Sequence, residues 1–147
     1  MTMPADLLAY NRQLIETFRA DRGASIGDRP LLLLTTTGAR SGLPRTSPMM
    51  YVRDGDRLIV IASANGAAKD PHWVHNLRAD PHVAVELPDD TFPATATELT
   101  GDERDRVWAR IVRDHAFFVE HQERAGERLI PLIALERVDE AVSRRAQ

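Results

Sequence analysis

The sequence contains no cysteine. Disulfides, iron–sulfur clusters, thiolate zinc sites and cysteine nucleophiles are therefore excluded. Any redox chemistry has to come from a bound cofactor. The redox compartment stays undetermined, because the chain has no thiol that could be oxidised to a disulfide.

Long hydrophobic runs are absent as well. The longest apolar run, near Leu31, spans only a few residues, whereas a membrane helix needs ~18. The first residues, MTMPADLLAYNRQLIETF, lack the basic start and the apolar stretch that are typical of a signal peptide. We therefore expect a cytoplasmic protein with no integral membrane segment.

Positive charge is not in excess either. The chain has 19 basic and 22 acidic residues, and its formal net charge is -3. Without an overall positive field, a nucleic-acid partner is disfavoured. A length of 147 residues with 43% apolar content suits one hydrophobic core. Residues 1–147 are therefore predicted to form a single domain.

Apolar spacing and turn signals predict the order helix, three strands, helix, two strands, helix, strand. The first helix carries an apolar stripe that ends before Gly23 and consists of Leu7, Leu8, Asn11, Leu14, Ile15 and Phe18. The predicted strands are 30–37, 46–53, 57–62, 83–87, 92–99 and 129–138. Six short strands with few helices favour a closed or partly closed barrel over a doubly wound sheet.

Local signals set several element boundaries. Asp54-Gly55 predicts a tight antiparallel hairpin. Asp70 is predicted to cap the second helix, with Pro71 in its first turn. The sequence from Thr100 to Glu103 fits a capping box that opens a third helix, which is expected to continue through Val119. Pro131 predicts that the last strand lies at an edge or contains a bulge.

The stretch from Leu33 to Leu77 reads LLTTTGARSGLPRTSPMMYVRDGDRLIVIASANGAAKDPHWVHNL. It resembles the deazaflavin (coenzyme F420)-dependent nitroreductase and quinone reductase family. The pieces that carry the resemblance are TTTGxRSGxPR with a following Pro48, the strand pair that ends in IAS, and KDPHWVHNL, in that order. With the third helix and IPLIALE, the resemblance covers residues 30 to 137.

The resemblance implies an α+β fold: a predominantly antiparallel split β-barrel with flanking helices. It also implies an oxidoreductase that transfers a hydride from reduced F420 to a quinone, a nitroaromatic or an activated enone. The expected partner is a small electrophilic substrate, and a homodimer is a possible assembly. Two alternatives remain open at this stage: a split-barrel oxidoreductase that binds FMN, and a carrier that binds deazaflavin or lipid without turnover.

A deazaflavin tail of phosphate and carboxylates needs guanidinium or ammonium groups and free backbone amides. The residues that supply this chemistry are Gly38, Arg40, Ser41, Gly42 and Arg45, with Lys69 as a further cation. The alternative is an ordinary glycine-containing connection whose arginines are only solvated. The resemblance makes anion binding the preferred interpretation.

The resemblance also implies which residues surround the flat ring of the cofactor. They are Pro48, Met49, Met50, Ala62, Ser63, Trp73 and Asn76. Met50 and Trp73 suit an apolar wall, and Ser63 and Asn76 suit the polar edges of the ring. Ordinary core packing is the alternative for Met49 and Trp73.

His115, Phe118 and His121 are the residues that the resemblance places over the substrate. Phe118 offers stacking surface, and either histidine could donate a hydrogen bond or a proton to a reduced substrate oxygen. The alternative is a helix end with partly exposed histidines. No metal site is predicted, because His72 and His75 lie three residues apart without a third ligand at a suitable spacing.

Overall fold

The computed structural model describes residues 12–20, 31–62, 70–126 and 129–138. Within these ranges six strands form a closed antiparallel barrel in the order β1-β2-β3-β6-β5-β4. The strands are β1 (Leu31–Thr37), β2 (Pro44–Asp54), β3 (Arg57–Ile61), β4 (His82–Leu87), β5 (Asp90–Glu98) and β6 (Leu132–Arg137). The helices are α1 (residues 12–20), α2 (His72–Ala79), α3 (Gly101–Asp114) and α4 (Phe117–Ala125).

The α+β barrel with flanking helices is therefore confirmed. The hairpin at Asp54-Gly55 is present, with Asp54 paired to Arg57 and a positive φ of 62° at Gly55. None of the helices in the described ranges has both the length and the apolar content needed to cross a bilayer. That residues 1–147 form one domain stays a prediction.

Strand β2 pairs with two different neighbours along its length. From Pro44 to Met50 it pairs with β1, and from Tyr51 to Asp54 it pairs with β3. In the described ladders, the first half of β2 therefore has a partner on one side only. This open edge is the split in the barrel wall.

The inside of the barrel is filled with aliphatic side chains. Leu32 and Leu34 of β1, Val60 of β3 and Leu135 of β6 belong to one buried cluster, and α2 adds Val74 to it. A barrel of this size has an interior just wide enough for its own side chains. A ligand of cofactor size therefore has to bind at the barrel's rim or on its outer face.

Helices cover much of the outer face. Phe18 of α1 packs on Leu33, together with the predicted stripe residues Leu14 and Ile15. The predicted stripe residues Leu7, Leu8 and Asn11, and Gly23, lie outside the described residues. Val107 of α3 and Phe118 of α4 belong to a second large cluster on β3 and β6.

The third helix is not continuous, so the expectation that it runs through Val119 is wrong. It stops at His115, whose backbone is not helical (φ -138°) and whose N–H donates to the carbonyl oxygen of Ile111 at 2.7 Å. Val107 and Ala125 lie in the same cluster, although a straight helix would separate them by about 27 Å. The change of direction at His115 lets both ends reach the barrel.

Two predicted caps are also corrected. The cap residue of α2 is Pro71 rather than Asp70, and it makes no side-chain capping bond; Asp70 instead lies 3.3 Å from Nη1 of Arg78. Thr100 does precede α3 but makes no capping bond either. The carboxylate of Glu103 accepts from Arg57 at 2.9 Å, so the capping box is replaced by an ion pair between α3 and β3.

The edge position predicted for the last strand is wrong. β6 pairs with β3 on one side and with β5 on the other. Pro131 precedes the strand, and its carbonyl accepts the N–H of Ala62 at 3.0 Å. Because Pro131 lies just outside the strand, its missing N–H removes no hydrogen bond from the ladder.

Asp54 fixes α3 to the hairpin between β2 and β3. Its carboxylate accepts from Nη2 of Arg57 at 2.9 Å and from Nη1 of Arg110 at 2.9 Å, and Arg106 lies 3.7 Å away. The side chain of Asp54 is only 11% exposed. The hydrogen bond from Arg57 is the largest influence on the pKa of Asp54 and lowers it, against the opposing effect of burial.

We expect Asp54→Asn to lower the free energy of unfolding by about 1–3 kcal/mol at pH 7, because the partly exposed guanidinium groups of Arg57 and Arg110 lose their charged acceptor. The pKa of Asp54 is lower in the folded chain than its usual ~3.9 in the unfolded chain, so its contribution is complete above that value and is lost at lower pH. Urea unfolding at pH 7 and below pH 4 measures this. Asp56→Asn on the same turn is the control. A difference between Asp54→Asn and native protein that persists at low pH would contradict the assignment.

Candidate functional site

The connection between β1 and β2 is a tight turn with a fixed shape. The N–H of Gly38 donates to the carbonyl of Leu43 at 2.8 Å, and the N–H of Gly42 donates to the carbonyl of Gly38 at 2.9 Å. The hydroxyl of Ser41 accepts the N–H of Leu43 at 3.1 Å. A Cβ at Gly38 would lie 2.5 Å from that hydroxyl oxygen. We call residues 38–43 the β1–β2 loop.

Asn76 of α2 holds this loop against the end of β1. Its Oδ1 accepts the N–H of Ala39 at 2.9 Å, and its Nδ2 donates to the hydroxyl of Thr36 at 3.1 Å. Asn76 is 9% exposed and Thr36 is 1% exposed. Asn76 was predicted at the ring edge from the resemblance; that contact stays a prediction, and the structure gives the side chain a positioning role.

Arg40 and Arg45 are the cations of this region, and both are exposed. Neither guanidinium group has a hydrogen bond or an ion pair with another residue in the part of the chain that the structure describes. Most other arginines around the barrel are paired, as Arg78 is with Glu98 at 2.9 Å. Two unpaired guanidinium groups beside a rigid loop suit a ligand with several oxyanions.

The methionines that follow point to opposite faces of β2. Met49 is 9% exposed and belongs to the interior cluster, whereas Met50 packs against the outer cluster formed with α3 and α4. Pro48 shares the face of Met50, because side chains alternate along a strand. Pro48 and Met50 therefore form an apolar strip on the outer face of β2.

Ala62 and Trp73 pack with Met49 in the interior cluster, and Ala62 is 1% exposed. This is the core packing that the sequence left open for Met49 and Trp73. Contact between these side chains and a bound ring stays a prediction. Ser63 and Lys69 lie outside the described residues.

The structure brings the three predicted catalytic residues together around Phe118. The ring of Phe118 lies 5.5 Å from that of His121 and 6.4 Å from that of His115, and Phe117 completes the group at 4.3 Å. Phe118 is 3% exposed, and Phe117 is 44% exposed. We call these four residues the aromatic group.

His121 has an unusual environment within this group. Its Nδ1 is buried and has no hydrogen-bond partner among the described residues. Burial is the main cause that lowers the pKa of His121, the charge of Arg124 adds to it, and Glu120 opposes it. The imidazole is therefore mainly neutral near pH 7.

The strip on β2 and the aromatic group adjoin the same outer cluster. Met50 packs against the cluster that contains Phe118, and Arg45 precedes Met50 by five residues, or about 17 Å of strand. The open edge of β2 therefore leads from unpaired cations, past apolar side chains, to stacked rings. A long ligand with an acidic tail and a flat head matches this order of chemistry.

The two histidines of α2 were considered as metal ligands, and some residues near the site were not predicted at all. His72 and His75 are exposed, and no three potential metal ligands come together within the described ranges. Three residues near the site were not predicted: Thr36, whose hydroxyl accepts from Asn76, and Tyr51 and Arg53 beyond the strip. By the alternation of β2, Tyr51 and Arg53 share the face of Met49 rather than that of Met50, so continuing the strip would not have indicated them.

The chain is similar to known proteins over most of its length. A family model described as F420H(2)-dependent quinone reductase matches residues 9–137. The chain is 35% identical over 113 residues to an F420H(2)-dependent quinone reductase of Mycobacterium tuberculosis, covering 76% of each chain.

Two solved structures are similar to the barrel. A structure described as an F420-H2 dependent reductase has 39% identity and a TM-score of 0.66, covering 74% of this chain and 95% of that one. A second, described as a domain-swapped dimer, has 36% identity and a TM-score of 0.68, covering 90% of this chain and 99% of that one.

We expect Asn76→Ala to release the β1–β2 loop, because the N–H of Ala39 and the hydroxyl of Thr36 lose their partner. The free energy of unfolding should fall by about 1–3 kcal/mol, and hydrogen exchange at the amide of Ala39 should accelerate. Asn76→Asp keeps an acceptor for Ala39 and removes only the donor to Thr36, so it should protect that amide more than alanine does. Unchanged exchange at Ala39 in Asn76→Ala would refute the positioning role.

Proposed function

The chain belongs to the F420H(2)-dependent quinone reductase family, and on that premise we propose that it reduces flat quinones with electrons from F420H2. It is a deazaflavin-dependent oxidoreductase whose cofactor is coenzyme F420. The observation that carries the site assignment is the order of groups along the open edge of β2. Unpaired arginines stand at one end, and the aromatic group stands at the other.

The donor set of the β1–β2 loop fits the acidic tail of this cofactor. Arg40 and Arg45 have no competing carboxylate among the described residues, so they can pair with phosphate or carboxylate oxygens. Asn76 fixes the backbone of the loop before a ligand arrives, which reduces the entropy lost on binding. When bound, the reduced deazaflavin supplies a hydride to an acceptor carbon.

The chain's own task at the other end is to orient the acceptor and exclude water. Phe117, which is 44% exposed, offers stacking surface for a flat ring, and the buried Phe118 supports it from 4.3 Å; Met50 packs against the same outer cluster. His121 has a buried Nδ1 without a hydrogen-bond partner among the described residues. An imidazole N–H placed there would stabilise the oxyanion that forms when the quinone carbonyl accepts electrons.

The choice of substrate, the assembly and the location of the protein are parts of this proposal and do not follow from the family membership. In this proposal nitroaromatics and activated enones are secondary to quinones as acceptors. The reason is that the aromatic group offers phenylalanine rings for stacking and histidines for hydrogen-bond or proton donation. An FMN-binding oxidoreductase and a non-catalytic carrier are the alternatives. Assembly as a homodimer and a cytoplasmic location stay predictions. Oxidation of F420H2 by menadione, followed by absorbance, separates an enzyme from a carrier.

We expect oxidised F420 to bind more tightly than FMN, and Arg45→Ala to raise the Kd for F420 by roughly ten- to a hundredfold through loss of charge-assisted hydrogen bonds. Hydride transfer at saturating cofactor should change much less, because a tail contact is similar in ground and transition states. Fluorescence titration and stopped-flow oxidation measure the two quantities. Arg113→Ala, at an exposed arginine on α3, is the control. Equal affinities for F420 and FMN would favour the FMN alternative.

We expect His121→Phe to slow quinone reduction by roughly a hundredfold if His121 is the proton donor. An imidazolium donor loses activity as pH rises through its pKa, and the lowered pKa of His121 places that fall below the usual ~6.5. Flat quinones should be better substrates than bulky nitroimidazoles. The measurement is a pH profile of quinone reduction for the native protein, His115→Phe and His121→Phe, with the exposed His82→Phe as control. Native profiles in both test variants would exclude the histidines as donors.

A further inference from the structure

An open cleft of about 350 Å³ lies beside the aromatic group, outside the residues assigned to the cofactor. We call it the β2 cleft. It is lined by the end of β2 and the last turns of α3: Tyr51, Val52, Arg53, Arg110, Ile111, Asp114 and His115. Only His115 is shared with the aromatic group.

The cleft continues the strip along the outer face of β2. Val52 is the next residue after Met50 on that face, and both pack against the same cluster as Phe118. The His115 ring, on the cleft wall, is 6.4 Å from that of Phe118. A quinone stacked on the aromatic group would therefore carry its substituents toward the cleft.

Most of the charged side chains that line the β2 cleft already have an interaction partner, with one exception. Both terminal nitrogens of Arg110 are used, one by Asp54 at 2.9 Å and the other by the carbonyl of Arg53 at 2.8 Å. The carboxylate of Asp114 lies 3.5 Å from Nε of Arg113, which offsets its charge.

Arg53 is the exception. Its guanidinium lies 5.7 Å from the centre of the Tyr51 ring, and it has no carboxylate within ion-pair distance among the residues that the structure describes. The ring contact holds the cation beside the cleft without neutralising it.

We propose that the β2 cleft is a subsite for an acidic substituent, a carboxylate or sulfonate, on the quinone, with Arg53 as its ion-pair partner. The inference rests on the proposed function, because it assumes that the quinone stacks on the aromatic group. Tyr51 positions the guanidinium, which can offer two parallel N–H donors to an oxyanion. Val52 and Ile111 supply apolar surface for the adjoining ring carbons.

The test compares 1,4-naphthoquinone with 1,4-naphthoquinone-2-sulfonate as acceptors of F420H2 electrons. For each quinone, kcat/KM of Arg53→Ala is divided by that of the native protein, so that differences in intrinsic reactivity cancel. We expect a loss of roughly three- to tenfold for the sulfonate, and a much smaller change for the neutral quinone. The sulfonate effect should shrink at high ionic strength. Arg53→Lys should restore part of it.

Arg137→Ala is the matched control, since Arg137 is also an exposed arginine stacked on an aromatic ring, 4.0 Å from the centre of Phe92. It should leave the ratio between the two quinones as in the native protein. Equal losses for both quinones in Arg53→Ala, or the same sulfonate loss in Arg137→Ala, would overturn the subsite.

Binding of naphthalene-2-sulfonate to the protein without cofactor, followed by its fluorescence, separates this inference from the proposed function. Binding that weakens in Arg53→Ala but not in Arg137→Ala supports the anion subsite even if neither quinone oxidises F420H2, an outcome that would refute the proposed function alone. Binding that is equally weak in the native protein and Arg53→Ala would overturn the subsite even if both quinones are reduced.

Discussion

Strand β2 pairs with β1 as far as Met50 and with β3 from Tyr51 onward, and this change of partner determines where a ligand can bind. A six-stranded barrel with leucine and valine inside has no free interior volume. Within the described ranges, the unpaired edge of β2 is therefore the place where backbone, apolar side chains and cations are accessible together. The β1–β2 loop, the apolar strip and the aromatic group all lie along it.

The barrel itself could be predicted from short-range signals. Asp54-Gly55 fixes a hairpin because of backbone geometry alone, and the run of leucines in β1 indicates a strand buried on both faces. The break at His115 could not be predicted in this way, because no glycine or proline marks it. It exists because the two halves of the helical segment pack on one barrel face, which is a tertiary requirement.

For the candidate site, the sequence indicates residue types but not the contacts between them. Residue types suited to an acidic ligand, such as Arg40 and Arg45, can be found in the sequence, and the resemblance supplied their context. The role of Asn76 could not be foreseen, since it depends on hydrogen bonds to Thr36 and Ala39 across 37 to 40 residues of chain. Strand alternation, in contrast, was available from the start and separates Met49 from Met50.

The pairing of charges leaves this acidic chain with a local excess of positive charge beside the β1–β2 loop. Arginines along the outer barrel are held by carboxylates: Arg57 and Arg110 on Asp54, Arg78 on Glu98. These pairs fix helices and hairpins to one another. The few guanidinium groups left unpaired in the described ranges then dominate the local potential, because an ion pair largely cancels its own field at a distance.

The position of β6 has a consequence for the order in which the molecule can form during synthesis. The five strands made earlier can pair only as an open sheet, β3-β2-β1-β4-β5, with β3 and β5 as its free edges. Exposed edges of this kind invite pairing with other chains. Residues 132–137 join both edges at once, so the nascent chain stays vulnerable to misassembly until its final strand is available, and the ring then closes in one step.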